Sequence, residues 1–154
     1  MKNEANKIPI TILVCDDDED DRMLTQQALE DAHVSNSVRF VEDGEQLLDY
    51  LYQRGKYAGE NGTAPRPGLI LLDLNMPKMD GREALKIIKG DKKLLDIPIV
   101  VLSTSRLDQD IIRSYQLGVN SFITKPVTFS GLVEAMNVLG RYWLEIVELP
   151  PTPT

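Results

Sequence analysis

Asp73 closes an apolar run, Leu69–Leu72, and leads into Leu74-Asn75-Met76-Pro77-Lys78-Met79-Asp80-Gly81. A carboxylate emerging from the end of a buried strand beside a metal ion can attack phosphorus and form an acyl phosphate. Three further strand-like runs end in groups that suit this chemistry. Ile10–Cys15 opens onto the consecutive acids Asp16-Asp17-Asp18-Glu19-Asp20-Asp21, Ile99–Leu102 ends in Ser103, and Ser121–Thr124 ends in Lys125-Pro126. Asp16 and Asp17, meeting Asp73 from a neighbouring strand, repel one another unless a cation sits among them. A few hard oxygen donors, completed by water and phosphate, suit Mg²⁺ better than a full calcium cage. Asn75 is placed for its backbone carbonyl to face the same ion.

Other metal chemistries lack ligands. The chain has no Asp-x-Asp-x-Asp-Gly calcium loop, its one histidine, His33, falls at a helix end away from this edge, and its one cysteine, Cys15, reads as a small apolar strand residue. That excludes a cysteine-rich zinc site and an internal disulfide. The later acids Asp20 and Asp21 read as helix N-terminal residues that cap free amides and complement the helix dipole.

The elements that must position these groups alternate. Aliphatic strand-like runs are expected at Ile10–Cys15, Val38–Val41, Leu69–Asp73, Ile97–Ser103 and Ser121–Thr124. Amphipathic stretches lie between them at about Asp20–His33, Gly44–Arg54, Arg82–Lys89, Asp108–Leu117 and Ser130–Val147. Met23, Leu24, Ala28, Leu29 and Ala32 recur at helical spacing, as do Leu47, Leu48 and Leu51. Strict alternation of this kind is the βαβ pattern of an α/β protein, a parallel sheet covered on both faces and doubly wound, with ligands at the C-terminal strand edge. Gly55–Gly68, with Asn61-Gly62, Pro65 and Pro67, reads as a long irregular loop.

With 154 residues, 42% of them hydrophobic, the chain suits one globular domain. The expected division is a flexible N-terminus at 1–9, a domain at 10–147 and a Pro-rich tail at 148–154. A net charge of −7 argues against a nucleic-acid partner held by phosphate neutralisation. No apolar run approaches the roughly 18 residues of a membrane span, so a cytoplasmic protein is the expectation.

Asp16-Asp17 after the first strand, Asp73-Leu-Asn-Met-Pro-Lys-Met-Asp-Gly81, Ser103-Thr104 and Lys125-Pro126 resemble, in order, the motifs of response-regulator receiver domains over about Ile10 to Val147. The resemblance implies a flavodoxin-like (βα)5 sheet of strand order 2-1-3-4-5, the order shared by flavodoxin and the chemotaxis receiver. It also implies that Asp73 accepts a phosphoryl group from the phosphohistidine of a sensor histidine kinase, with Asp16, Asp17, Asp73 and the Asn75 carbonyl holding Mg²⁺. Lys125 then pairs with one phosphate oxygen and Ser103 bonds another. Phe122 takes the place of an aromatic that swings inward when the hydroxyl moves, and its plainer reading is a buried strand aromatic. By the same resemblance the Lys125–Pro126 bond is cis. More narrowly, the long loop before the third strand, Tyr115-Gln-Leu-Gly118, Asn120 and Ile123-Thr-Lys-Pro126 resemble single-domain regulators paired with bacterial phytochromes. Members of that group are dimers, which directs attention to Tyr142-Trp143-Leu144; those residues serve equally well to cover the chain's own core.

Rival chemistries fare worse. A haloacid-dehalogenase-like phosphatase wants a second Asp two positions after the nucleophile, where this chain has Asn75. A flavodoxin needs a phosphate loop after the first strand, where six acids would repel FMN. A P-loop is absent, since Gly55-Lys56 continues into Tyr57. A receiver fold kept purely as a binding scaffold has no need of Asp16, Asp17, Asp73, Ser103 and Lys125 together.

Overall fold

A computed structural model describes residues 10–34, 36–59, 64–104 and 107–141. Five strands, β1 (Thr11–Cys15), β2 (Ser37–Val41), β3 (Leu69–Leu72), β4 (Ile99–Ser103) and β5 (Ser121–Thr124), form one parallel sheet of order β2-β1-β3-β4-β5. The helices between and after them are α1 (Glu19–Asp31), α2 (Gly44–Tyr52), α3 (Gly81–Lys89), α4 (Asp108–Leu117) and α5 (Phe129–Leu139). Strand order reverses between β1 and β3, which places the C-terminal ends of those two strands on either side of the crevice where doubly wound sheets bind ligands.

The central strands β1, β3 and β4 are largely apolar because both faces are covered, whereas the edge strands β2 and β5 carry Ser37, Arg39, Ser121 and Thr124 and are only partly buried. Side chains alternate across a strand, and the core divides accordingly. Leu13, Cys15, Ile70, Leu72, Ile99 and Val101 pack with Leu47 and Leu48 of α2 and Leu85 and Ile88 of α3. Ile12, Val14, Leu69, Leu71, Val100 and Leu102 pack with Ala28 and Leu29 of α1 and Met136 and Leu139 of α5. The central strands carry no solvated face, so nothing but their ends can present polar chemistry.

Four of the five helices begin on side-chain caps, α4 on Leu107 being the exception. Asp18 accepts from the Asp21 amide at 3.1 Å, Asp43 from Gln46 at 2.7 Å, Asp80 from Arg82 at 2.7 Å and Thr128 from Gly131 at 3.0 Å. In α1, then, the cap is Asp18. Asp20 and Asp21 do complement the dipole of the first turn, but the Asp21 side chain is engaged elsewhere. The buried stripe of α1 is Thr25, Ala28 and Leu29, whereas Met23 and Leu24 are exposed at 63% and 43%. Residues 25, 28 and 29 lie on one helical face, and Met23 and Leu24 fall outside it.

Other boundaries shift for local reasons. α2 stops at Tyr52 because Gln53 takes a left-handed φ of 53°. β4 starts after Pro98, which has no amide to donate. Within the expected long loop, Gly55–Tyr57 forms a 3₁₀ turn, and the far side is tied down by bonds from Tyr50 Oη to the Pro65 carbonyl at 2.8 Å and from Arg66 Nη1 to the Lys93 carbonyl at 2.8 Å. Every peptide bond among the described residues is trans, Lys125–Pro126 included, which corrects the cis expectation; trans is the favoured isomer even before proline. The 1–9 segment, the last helix beyond Arg141, Tyr142-Trp143-Leu144 and the Pro-rich tail lie outside the described residues.

Candidate functional site

At the C-terminal edge β1 and β3 end side by side, with Cys15 in register with Leu72, so the next residue of each strand is an aspartate. Asp16 is held by its own amide on the Val41 carbonyl at 3.1 Å and by Arg22 Nη1 on its carbonyl oxygen at 2.9 Å. The Asp73 amide donates to the Cys15 carbonyl at 3.0 Å. Each side chain then makes the same local turn: Asp16 Oδ1 accepts from the Asp18 amide and Asp73 Oδ1 from the Asn75 amide, both at 3.1 Å. Fixing one oxygen leaves Oδ2 of each aimed into the crevice.

Lys125 fills the gap between them. Its backbone amide continues the β4–β5 ladder onto the Ser103 carbonyl at 2.8 Å. Its Nζ donates to Asp16 Oδ2 at 2.7 Å, Asp21 Oδ2 at 3.0 Å and Asp73 Oδ2 at 3.2 Å. An ammonium has three N–H donors, and all three are used. Asp17 lies exposed at the rim, and single oxygens of Asp16, Asp17 and Asp73 come within 4.8 Å of one another. Hard oxygen donors converging at that spacing fit a divalent cation of the Mg²⁺ or Mn²⁺ kind.

Charge is out of balance here. One ammonium serves three carboxylates, with Asp17 as a fourth nearby. Burial, opposed by Lys125 and the Asn75 amide and reinforced by Asp16, holds the Asp73 carboxyl above its ordinary range. Lys125 loses hydration too, yet its hydrogen bond to Asp16 and the charges of Asp73 and Asp16 keep it firmly protonated. The Asp73 shift follows first from burial and that of Lys125 from its carboxylate partners. Cys15, fully enclosed beneath the pair, has its thiol pushed up by burial and by the same two aspartates.

The remaining expected residues take distinct places. Ser103 is fully buried at the end of β4, in register with Thr124. Asn75 is exposed and contributes its amide to Asp73. Phe122 sits one strand out, half-buried against the α2–α3 side of the core; its amide donates to Tyr115 Oη at 3.1 Å, and its ring lines a groove between α4 and α5 with Tyr115, Glu134 and Val138.

The roles of three residues escaped the sequence reading. Asp21 bonds Lys125 and Arg22 clamps Asp16, while Arg82 spans from the Asp80 carboxylate at 3.0 Å to a two-pronged bond with Asp110 of α4 at 2.9 and 2.7 Å. Gly81 passes so close to Asp73 that a Cβ there would lie 2.3 Å from the Asp73 carbonyl oxygen. The glycine signal was visible in the sequence; the charged partners carry none, because their mates are remote in the chain.

A doubly wound sheet with paired aspartates, a third aspartate and a lysine at its switch point is the arrangement of a receiver domain. The family described as "Response regulator receiver domain" matches residues 12–137. Response regulator Rcp1 of a Synechocystis species is 41% identical over 97% of this chain and 99% of that protein. Among solved structures, the phosphorylated cyanobacterial phytochrome response regulator RcpA superposes with a TM-score of 0.85 at 44% identity, covering 94% of this chain and all of that one. The Mn²⁺-bound form of Rcp1 superposes with a TM-score of 0.83 at 40% identity, covering 93% of this chain and all of that one. The chain belongs to the response regulator receiver family and is homologous to the Rcp1 and RcpA regulators.

Proposed function

We propose that Asp73 accepts the phosphoryl group from the phosphohistidine of a sensor histidine kinase. The observation that carries this reading is the convergence of Lys125 Nζ and the Asp16 and Asp17 carboxylates on the Asp73 side chain. An Asp73 oxygen attacks phosphorus, the P–O bond forms as the P–N bond breaks, and the imidazole leaves with the electron pair. Asp16, Asp17, Asp73 and the Asn75 carbonyl would hold Mg²⁺, which supplies positive charge to the transferring phosphoryl oxygens. Lys125 then gives up its bond to Asp73 Oδ2 for a phosphoryl oxygen. Ser103 reads another oxygen, and Phe122, half-buried on the next strand opposite Val101, passes the movement toward the α4–α5 groove. The protein assists only its own phosphorylation and dephosphorylation.

Several features support a kinase partner. Met23 and Leu24 of α1, together with Val127 at 89% exposure and Phe129, present apolar side chains on the exposed surface of α1 and the β5–α5 connection. The relative RcpA is a phytochrome response regulator, which makes a bacterial phytochrome the first kinase to try. The receiver spans 10–147 in this reading, followed by a tail, and a homodimer through the C-terminal region is the output state. A cytoplasmic setting accords with a kinase that uses ATP; among the described residues no helix is long and apolar enough to cross a membrane.

Incubation with a small phosphodonor and Mg²⁺ tests the chemistry. The expected result is a mass increase of one phosphoryl group, labile to hydroxylamine and absent from Asp73→Asn. An undiminished mass increase in Asp73→Asn would sink the assignment. Light scattering with and without beryllofluoride tests the dimer, and an unchanged mass removes it as the output.

A further inference from the structure

Of the three carboxylates on the Lys125 ammonium, Asp16 and Asp73 belong to the group of oxygens able to hold a divalent cation, and Asp21 does not. Those two must therefore turn part of their charge toward the metal when it binds. Asp21 has no such second duty. It projects from the first turn of α1, where its amide is fixed on Asp18 Oδ1 and the next residue, Arg22, is clamped onto the Asp16 carbonyl. Its side chain is 41% exposed and Lys125 only 13%, so Asp21 approaches the ammonium from the solvent side and leaves the crevice side open. Lysine carries its charge on a flexible four-carbon stem, so an anchored partner is needed to hold that charge in one place.

Building on the phosphoryl-accepting reading, we propose that Asp21 is a positioning residue: it keeps the Lys125 ammonium over the acceptor while Asp16 and Asp73 engage the metal, and so favours both metal entry and capture of the phosphoryl group. Without Asp21 the ammonium settles on Asp16 and Asp73 and competes with the cation for them. An exposed ion pair of ordinary kind would contribute little; this one acts through its hold on a buried group.

Calorimetric titration of the full chain with Mg²⁺, and then with beryllofluoride in saturating Mg²⁺, tests this. Asp21→Ala, Asp21→Asn and Asp20→Asn are compared. Asp20 is exposed on the same turn and carries the same charge, so its variant reports simple charge loss. We expect Asp21→Ala to lower beryllofluoride affinity by about tenfold and Mg²⁺ affinity by about threefold beyond any effect of Asp20→Asn. Asp21→Asn, which keeps an acceptor oxygen, falls between them and serves if the alanine variant folds poorly. In a Lys125→Met background the Mg²⁺ affinities of the Asp21 and Asp20 variants should coincide, since no ammonium is left to position. Equal losses in Asp21→Ala and Asp20→Asn, a gain in affinity, or a difference that survives Lys125→Met would each overturn the proposal. Failure of the native chain to bind beryllofluoride would instead remove the phosphoryl-accepting reading, and this inference with it.

Discussion

Replacing Lys125 with methionine keeps most of the aliphatic stem and deletes only the charge, which isolates what the ammonium contributes before any metal is present. Asp16 and Asp73 have side chains only 5% and 9% exposed, and both rest on that one cation, as does the more exposed Asp21. Removing one partner of a buried ion pair costs roughly 3–5 kcal/mol. Solvent takes over for Asp21, so the expectation is the low end of that range, about 3 kcal/mol at neutral pH without metal. For a domain of this size that is a fall in Tm of roughly 6–12 °C.

The pH dependence has a fixed sign. Lys125 lowers the Asp73 pKa against the upward push of burial and Asp16, so its loss raises that pKa further. The penalty is then fully present above the raised native-state value. It fades as pH falls through that value and is gone below the unfolded-state value of about 3.9. The groups facing the site are Asp16, Asp17 and Asp21 from the β1–α1 side and Asp73 from β3, with Arg22 bound to the Asp16 carbonyl. Urea unfolding of native and Lys125→Met proteins at pH 7 and pH 5, in EDTA and in Mg²⁺, measures all of this. Mg²⁺ should stabilise the variant more than the native protein, because the ion replaces the missing charge and no ammonium competes with it; saturation to 100 Kd contributes about 2.7 kcal/mol. A difference below about 0.5 kcal/mol at pH 7 in EDTA, within the range of ordinary surface substitutions, would refute the account.

Gly81→Ala should cost about 3 kcal/mol by denaturation and slow phosphorylation by about tenfold or more, since its Cβ would strike the Asp73 carbonyl and Leu74 Cα and displace the acceptor. A double-mutant cycle on Arg82 and Asp110, both to alanine, should show a coupling of about 1 kcal/mol, because the bond is two-pronged but Arg82 is 38% exposed. Asn120→Ala should cost about 1–3 kcal/mol, as it strips the acceptor from the buried Ile99 amide at the start of β4; unchanged urea midpoints for these last two would remove both contacts as structural elements.

The candidate site was legible in the sequence to the extent that it sits at strand ends. A strand covered on both faces must be apolar along its length, so the first polar residue after Leu72, Cys15 or Leu102 marks the C-terminal edge of the sheet. That is why Asp73, Asp16 and Ser103 stood out; Lys125 follows the edge strand β5 and stood out by its Lys-Pro pair. Helix starts were harder. In a run of six acids Asp20 and Asp21 look like the caps, and only the backbone turn at Asp18 shows that Asp18 is the one.

Sequence by itself determined the alternation, the acidic strand end after β1, the aspartate that follows β3 and the lysine that follows β5, because hydrophobic periodicity and the residues that interrupt it are local properties. Tertiary structure alone decided who partners whom. Lys125 reaches Asp21 across 104 residues and Asp73 across 52, and Arg82 reaches Asp110 across 28. No local pattern encodes such pairings, since they depend on which strands the crossovers bring side by side and on how far burial lets one ammonium serve three carboxylates.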